Sequence, residues 1–371
     1  MNIKGDKKIE RIFAFIRYAM DLESQSAPEM MEKDWLWLFY FAEEQAILGV
    51  MYDGRRKMDD GREKGEDGFI DDLTLEWGYV VQQVEEQNRT INRKCAEVQK
   101  ELEEAGFQCC VLKGQGNALM YTNPLARMPG DIDILIRKAD RKRLTEWAKV
   151  HKEVSGCHFQ HVEYEENGIG VELHFIPCSM NNPVYHRRLQ KWFAEQADSE
   201  DIWNHHVNLP DTEGMISIPT VRFNVVYQLA HMMHHFFDEG IGLRQMMDYF
   251  YLLRRVKDEL KIENGEFKIL LRYLGLWKFA GAVMYVMREV FGMEERYMIA
   301  PVDERRGETL MEEILKGGNF GRYSGLTDHS MVGKYFAKHW RNFHFVREYP
   351  AEALCEPVFR TWHFFWRKSH R

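Results

Sequence analysis

The chain has 371 residues, with 50 Lys and Arg against 58 Asp and Glu, a net charge of −8. Hydrophobic residues make up 45% and aromatics 13%, enough for two or three packed units, which excludes general disorder. The acidic balance argues against a broad phosphate-tracking surface for extended duplex nucleic acid, though it leaves room for a local basic groove.

The first residues are charged, and the apolar run from Ile12 to Ile16 is too short for a signal core. The longest apolar stretch, Trp35 to Ala42, is far below the ~20 residues that cross a bilayer, so no membrane partner is expected. The N-terminal part, residues 1–106, reads as helical, with Trp35 to Gly49 apolar on more than one side and therefore buried. Residues 53–67, rich in Gly, Asp, Arg and Lys, read as a loop. A long helix follows, carrying Val84, Ile91, Cys95, Val98, Leu102 and Ala105 at helical spacing and stopping at Gly106.

Residues 107–219 read as an α/β core. The expected elements are a strand over 108–112, a short helix over 117–121, a strand over 131–136 and a helix over 138–151. A hairpin is expected from 159–165 and 169–176, with Asn167-Gly168 in the turn. A helix over 184–193 and a last strand pair, 206–209 with 215–218, complete the core. From Thr220, a helix cap, to residue 371 the chain reads as helical. Its apolar stripes are Val226, Leu229, Met233 and Phe237; Leu243, Met246, Met247 and Phe250; and Val283, Val286, Met287 and Val290. Arg367, Lys368 and Arg371 read as a solvated tail. No internal repeat or low-complexity linker is evident.

The richest segment is the Gly-containing turn Lys113-Gly114-Gln115-Gly116 followed by Gly130-Asp131-Ile132-Asp133. Strand side chains alternate faces, so Asp131 and Asp133 share one face while Ile132, Ile134 and Ile136 enter a core. Paired carboxylates repel unless a cation lies between them, and hard cations such as Mg²⁺ or Mn²⁺ bridge such oxygens to substrate phosphates. A glycine turn nearby lets backbone N–H groups approach those phosphates. Downstream, Val171, Leu173 and Phe175 form a buried strand face, and Glu172 and His174 form the other. Three acids on neighbouring strands are hardware for metal-assisted phosphoryl or nucleotidyl transfer. The competing structural reading makes Asp131 a turn acceptor and Asp133 a solvated edge residue.

These residues carry a resemblance. Leu112-Lys113-Gly114, Arg127, Gly130-Asp131-Ile132-Asp133 and Glu172-Leu173-His174 resemble the motifs of an uncharacterised bacterial nucleotidyltransferase family of the DNA polymerase β-like nucleotidyltransferase superfamily. Asp34-Trp35 and Ala42-Glu43-Glu44-Gln45 resemble its N-terminal part. The segment from Leu229 and His231 through His234, Leu243-Arg244 and Asp248 resembles its helical C-terminal part. The resemblance implies an α+β fold, a small mixed sheet flanked by N- and C-terminal helical regions. It also implies Asp131, Asp133 and Glu172 as catalytic metal ligands. Lys113, Gly114, Gln115, Gly116, Arg127, Gly130 and His174 would surround the nucleotide, with Mg²⁺ or Mn²⁺ as cofactor and an NTP as substrate. One departure stands out: the superfamily's turn carries a Ser after Gly, where this chain has none, and Lys113 can supply charge in its place.

Several residues keep two readings. Arg127 can bind phosphate or brace its loop through a carboxylate. His174 can support a metal-bound carboxylate or be an ordinary half-buried histidine. His231, His234 and His235 read as core or interface histidines rather than zinc ligands, and His158 and His161 beside Cys157, in or next to a strand, are not expected to bind zinc either. Arg244 and Asp248, one turn apart, can pair. The six cysteines, Cys95, Cys109, Cys110, Cys157, Cys178 and Cys355, have no CxxC spacing and read as reduced thiols of a cytoplasmic protein. The expected activity is transfer of an NMP from an NTP, with release of pyrophosphate, to an acceptor hydroxyl or amine on a small molecule, a protein or an RNA end. The alternative is an inactive nucleotide-binding or protein-interaction module on the same fold.

Overall fold

The computed structural model describes residues 5–20, 26–60, 72–199, 201–259, 265–323 and 338–369. At its centre lies a five-stranded mixed sheet ordered β1-β2-β5-β4-β3. The strands are β1 (Cys109–Leu112), β2 (Ile132–Ile136), β3 (Val154–Cys157), β4 (His161–Glu166) and β5 (Ile169–His174). β2 runs antiparallel to β1 and parallel to β5, and β4 runs antiparallel to both β5 and β3. A separate pair, β6 (His206–Asn208) and β7 (Met215–Ser217), lies further along the chain. The fold is α+β, with helices flanking the sheet.

β2 is buried along its whole length because its two faces meet different cores. Ile132, Ile134 and Ile136 pack with Val111, Val162, Val171 and Leu173 of the sheet. The apolar stripe of helix α4 (Asp72–Glu104), Ile91, Cys95, Val98 and Leu102, closes that core. Each such side chain contributes about 1.5–3 kcal/mol relative to an exposed one. On the other face Leu135 joins Cys110 and Leu112 in the larger helical core. That core draws on helix α1 (Lys7–Ala19) at one end of the chain and on α9 (Val221–Asp238), α10 (Leu243–Glu259) and α12 (Trp277–Phe291) towards the other. Arg17 ties α1 to α12, donating to the carbonyls of Glu289 and Val290 at 3.1 and 3.2 Å. Asp133, on the Leu135 face, is therefore a carboxylate set into a helix-covered surface.

Several boundaries differ from the expectations. The apolar stretch 35–49 is two helices, α2 (Glu32–Glu44) and α3 (Leu48–Asp60), broken where Ala46 takes φ +55°. The break is held from outside: Gln45 donates to the Ile314 carbonyl at 3.0 Å and accepts from the Leu243 N–H at 3.0 Å. The polar stretch 53–60, expected as loop, continues α3, because Arg55 lies over Trp35, 4.7 Å from the ring centroid, and stays buried. Residues 61–67 of that stretch, and Arg371 of the expected tail, lie outside the described residues. Arg367 and Lys368 end a helix, Glu356–Ser369, not a free tail.

The short helix expected over 117–121 forms earlier, as α5 (Gly114–Ala118). β2 begins at Ile132 rather than Asp131. β3, with its Ser-Gly-Cys, lacked the alternation that marks a strand. The hairpin turn is at Asn167-Gly168, with φ +55° and +77°, the left-handed pair that Asn-Gly supplies. Thr220 caps α9 by accepting from the Phe223 N–H at 3.4 Å. All six cysteines are free thiols. Among the described residues no single helix is long and apolar enough to cross a membrane.

Candidate functional site

Parallel pairing of β2 with β5 sets Asp133 opposite Glu172 and Leu135 opposite His174. Pairing of β5 with β4 continues the rows, Glu172 opposite Glu163 and His174 opposite His161. Register alone thus lines up three acids and, one step along, two histidines on the same sheet face.

His174 joins the first two acids. Its Nε2 lies 3.1 Å from Asp133 Oδ1 and 3.1 Å from Glu172 Oε2, while Nδ1 faces the Ile176 carbonyl at 3.3 Å. Burial by itself would lower the imidazole's pKa, but the hydrogen bonds to Asp133 and Glu172 push it up to about 9. Conversely, burial would raise Glu172, and His174, then His161 and Lys113, hold it below the usual carboxylate range. Both shifts describe one interaction and do not add. A folded pKa above the ordinary 6.5 means that this stability is full below pH 6.5 and is lost as pH rises through about 9. With divalent cations chelated, thermal stability should fall over that window by up to about 3 kcal/mol. His174→Gln should flatten the decline, and an unchanged alkaline limb in the variant would refute the assignment.

The glycine turn supplies the third partner. Lys113 and Gly114 take φ +40° and +48° in succession. A Cβ on Gly114 would lie 3.7 Å from the Asp131 carbonyl oxygen, so the turn rests against the start of β2. Lys113 Nζ then reaches 3.2 Å from Asp133 Oδ2 and 3.0 Å from His231 Nε2 on α9. Asp133 is 2% exposed, and its Oδ2 accepts no hydrogen bond among the described residues, leaving Lys113 as its ionic neighbour. Asp131 is exposed beside Gly170 of β5, where an added Cβ would fall 3.3 Å from Asp131 Oδ1. Desolvation, then the charges of Asp133 and Glu172, raises its pKa, while Lys113 and Arg244 pull it down.

Not every expected site residue joins this cluster. Arg127 is buried and forms a two-point pair with Asp248, Nε to Oδ1 at 2.8 Å and Nη2 to Oδ2 at 2.7 Å. Burial would raise the Asp248 carboxyl; Arg127, with Tyr121 and Arg244, holds it down. Tyr121 and Asn117 donate to the same carboxylate at 2.7 and 3.2 Å. Of the two readings of Arg127, the structure has the brace. It also displaces the expected Arg244–Asp248 pair: Arg244 Nη1 donates instead to the Met128 and Pro129 carbonyls at 3.1 and 2.8 Å, next to Gly130. Gln115 turns its amide to Asn92 and Asn88 of α4. Gly116 is small because Ile218 packs on it, an added Cβ falling 2.9 Å from Ile218 Cγ2.

Other residues reach the cluster unforeseen. His231 meets Lys113 and also lies 3.2 Å from His235 Nε2. Burial, then Lys113, lowers its pKa, so it faces Lys113 as the neutral base. Tyr227, one turn earlier, has a buried hydroxyl without a hydrogen-bond partner among the described residues, within the field of Asp133 and Glu172. Tyr227, His231 and His235 recur at i, i+4, i+8 on an apolar helix, a polar line that could have marked a site-facing stripe. Glu163, pulled down to about 2 first by His161 and also by His158 against burial, is the third acid of the row.

Among the described residues, two sets of three His or carboxylate ligand atoms lie within 4.8 Å of one another: His161, Glu172 and His174, and His158, His161 and Glu163. Asp131, Asp133 and Glu172 are not drawn to a common point but are linked through His174 and the electrostatics at β2 and β5. Asp133 Oδ2, buried and without a hydrogen bond among the described residues, has only the Lys113 ammonium at 3.2 Å, and with the carboxylates of Asp131 and Glu172 it offers the oxygen donors that suit a hard divalent cation.

Residues 31–292 match a protein-family model described as "Uncharacterised nucleotidyltransferase". No curated protein and no solved structure matches the chain.

Proposed function

The chain belongs to the uncharacterised nucleotidyltransferase family, and from that premise we propose that it transfers an NMP from an NTP to an acceptor hydroxyl or amine. The observation that carries the reading is the join of Asp133 and Glu172 through one His174 nitrogen, with Lys113 of the glycine turn on the far oxygen of Asp133. The order and directions of β1, β2 and β5 support placement in the polymerase β-like superfamily.

In this reading Asp131, Asp133 and Glu172 would hold Mg²⁺ or Mn²⁺ once the cation draws them together. The cation, when bound, neutralises triphosphate charge and acidifies the acceptor hydroxyl. His174 keeps Asp133 and Glu172 turned towards each other. Lys113 exchanges its contact with Asp133 for a phosphate oxygen, and Arg244 holds the 128–130 loop that delivers Asp131. The acceptor oxygen bonds to the α-phosphorus, the bond to the bridging oxygen breaks, and pyrophosphate leaves. Glu172 either completes the metal site or, free of the metal, takes the acceptor's proton. The helical regions 1–106 and 220–371 shape the acceptor pocket around the core 107–219.

The lack of a Ser in the turn, and the contact of Lys113 with Asp133 where a cation would bind, favour the second reading, an inactive nucleotide-binding or protein-interaction module. Incubation with each NTP and Mg²⁺ or Mn²⁺, following pyrophosphate and label on the protein, separates the two. Turnover or slow hydrolysis that needs Asp131 supports the enzyme; binding without release with any acceptor supports the module. Lys113→Ala should weaken NTP affinity about tenfold or more, the scale of one charge-assisted phosphate contact. Unchanged affinity in a folded variant would make the turn purely structural.

A further inference from the structure

We propose that His158, His161 and Glu163 form a second metal site, for a transition metal of the zinc class, beside the nucleotidyl-transfer carboxylates. One ligand atom from each lies within 4.8 Å of the others. His158 Nε2 stands 3.2 Å from Glu163 Oε1, and His161 Nε2 stands 3.7 Å from Glu163 Oε2. Ligands about 2.1 Å from a tetrahedral ion lie roughly 3.4 Å apart, so small rotations bring the set onto one ion.

The local fold builds this convergence. The His158 N–H donates to the His161 carbonyl at 2.8 Å, a tight turn that brings the two rings to 4.9 Å between centroids. Glu163 enters from the same face of β4, across from Gly156 of β3. A Cβ at position 156 would fall 2.4 Å from Glu163 Oε1 and 2.8 Å from His158 Nε2. Glycine therefore leaves open the space where these two ligand atoms meet. Cys157, the thiol that the sequence places beside His158, is not part of the set.

Two imidazoles and one carboxylate select a zinc-class ion over Mg²⁺, which prefers oxygen. The side chains are 25%, 16% and 35% exposed, so the site is reachable and leaves a coordination position for water. His161 Nδ1, buried and without a hydrogen-bond partner among the described residues, lies 3.3 Å from Glu172 Oε2, close enough for a small rotation to make Glu172 the outer partner of a ligand histidine. A carboxylate on the far nitrogen fixes the tautomer and ring orientation of a ligand histidine. An ion here would in turn pin Glu172, a positioning role for the neighbouring site. His363, from the helix Glu356–Ser369, flanks the cluster with its ring 6.5 Å from that of His158 and its buried Nε2 without a hydrogen-bond partner among the described residues.

The test reads metal content and needs no turnover, so it stands apart from the fate of the transferase reading. Chelator-stripped full-length protein is dialysed against Zn²⁺ for elemental analysis, and against Co²⁺ for the intense visible bands of four-coordinate geometry. Wild type should take up one zinc per chain. His158→Gln and Glu163→Gln should each weaken uptake by at least about tenfold, with melting temperatures of the metal-free variants matching metal-free wild type. Cys157→Ser and His174→Gln should retain the zinc. No stoichiometric zinc in wild type overturns the proposal. So does retention in the first two variants, or loss in Cys157→Ser or His174→Gln, either of which would place the ion on a different ligand set.

Discussion

Asp133→Asn should cut pyrophosphate release by at least about a hundredfold, the upper range for loss of even an outer partner of a metal ligand. The substitution keeps the shape of a side chain that is 2% exposed while removing the charge that His174 and Lys113 share. Mg²⁺ with NTP should raise the melting temperature of wild type by linkage, and the variant should lose most of that rise. Asp131→Asn, at the exposed entrance to the site, should lose release steeply with a smaller loss of NTP affinity. Release equal to wild type in a folded Asp133→Asn protein would remove this carboxylate from the chemistry. Should wild type neither bind nor turn over any NTP with either metal, nucleotide chemistry would be abandoned for this chain.

The largest effect on stability belongs to the Arg127–Asp248 pair. Both side chains are about 5% exposed, and Asp248 also serves Tyr121 and Asn117. Asp248→Ala leaves a buried guanidinium without its counter-charge and should cost about 3–5 kcal/mol, read by urea unfolding. Arg127→Lys should not restore stability, because one ammonium cannot reproduce a two-point planar contact. A loss below about 1 kcal/mol, the scale of an exposed pair, would mean that the pair is solvated and the loop is held otherwise. Because the pair joins the loop ahead of Gly130 to α10, its loss should also displace Asp131 and lower activity in whatever fraction remains folded.

The sequence by itself determined the local elements whose signals are local. The isoleucine alternation marked β2, the helical spacing from Val84 to Leu102 marked α4, Asn167-Gly168 marked the hairpin turn and Thr220 marked the start of α9. These rest on backbone preference and periodicity, which neighbours in sequence carry. It also singled out Asp133, Glu172, His174 and Lys113, because unusual residue types at strand ends are visible without a partner. Only the tertiary structure decided which charges meet. Arg127 and Arg244 stand in one sequence neighbourhood each, yet Asp248 pairs with Arg127 across 121 positions and not with Arg244 one turn away. Glu163 and His161 fall into line with Glu172 and His174 only through the pairing of β4 with β5. His231 reaches Lys113 only because α9 covers the sheet face that carries Asp133. Ion pairing and metal ligation depend on distances of a few ångströms between segments far apart in the chain. Strand register and helix packing set those distances, and no periodicity in the sequence records them.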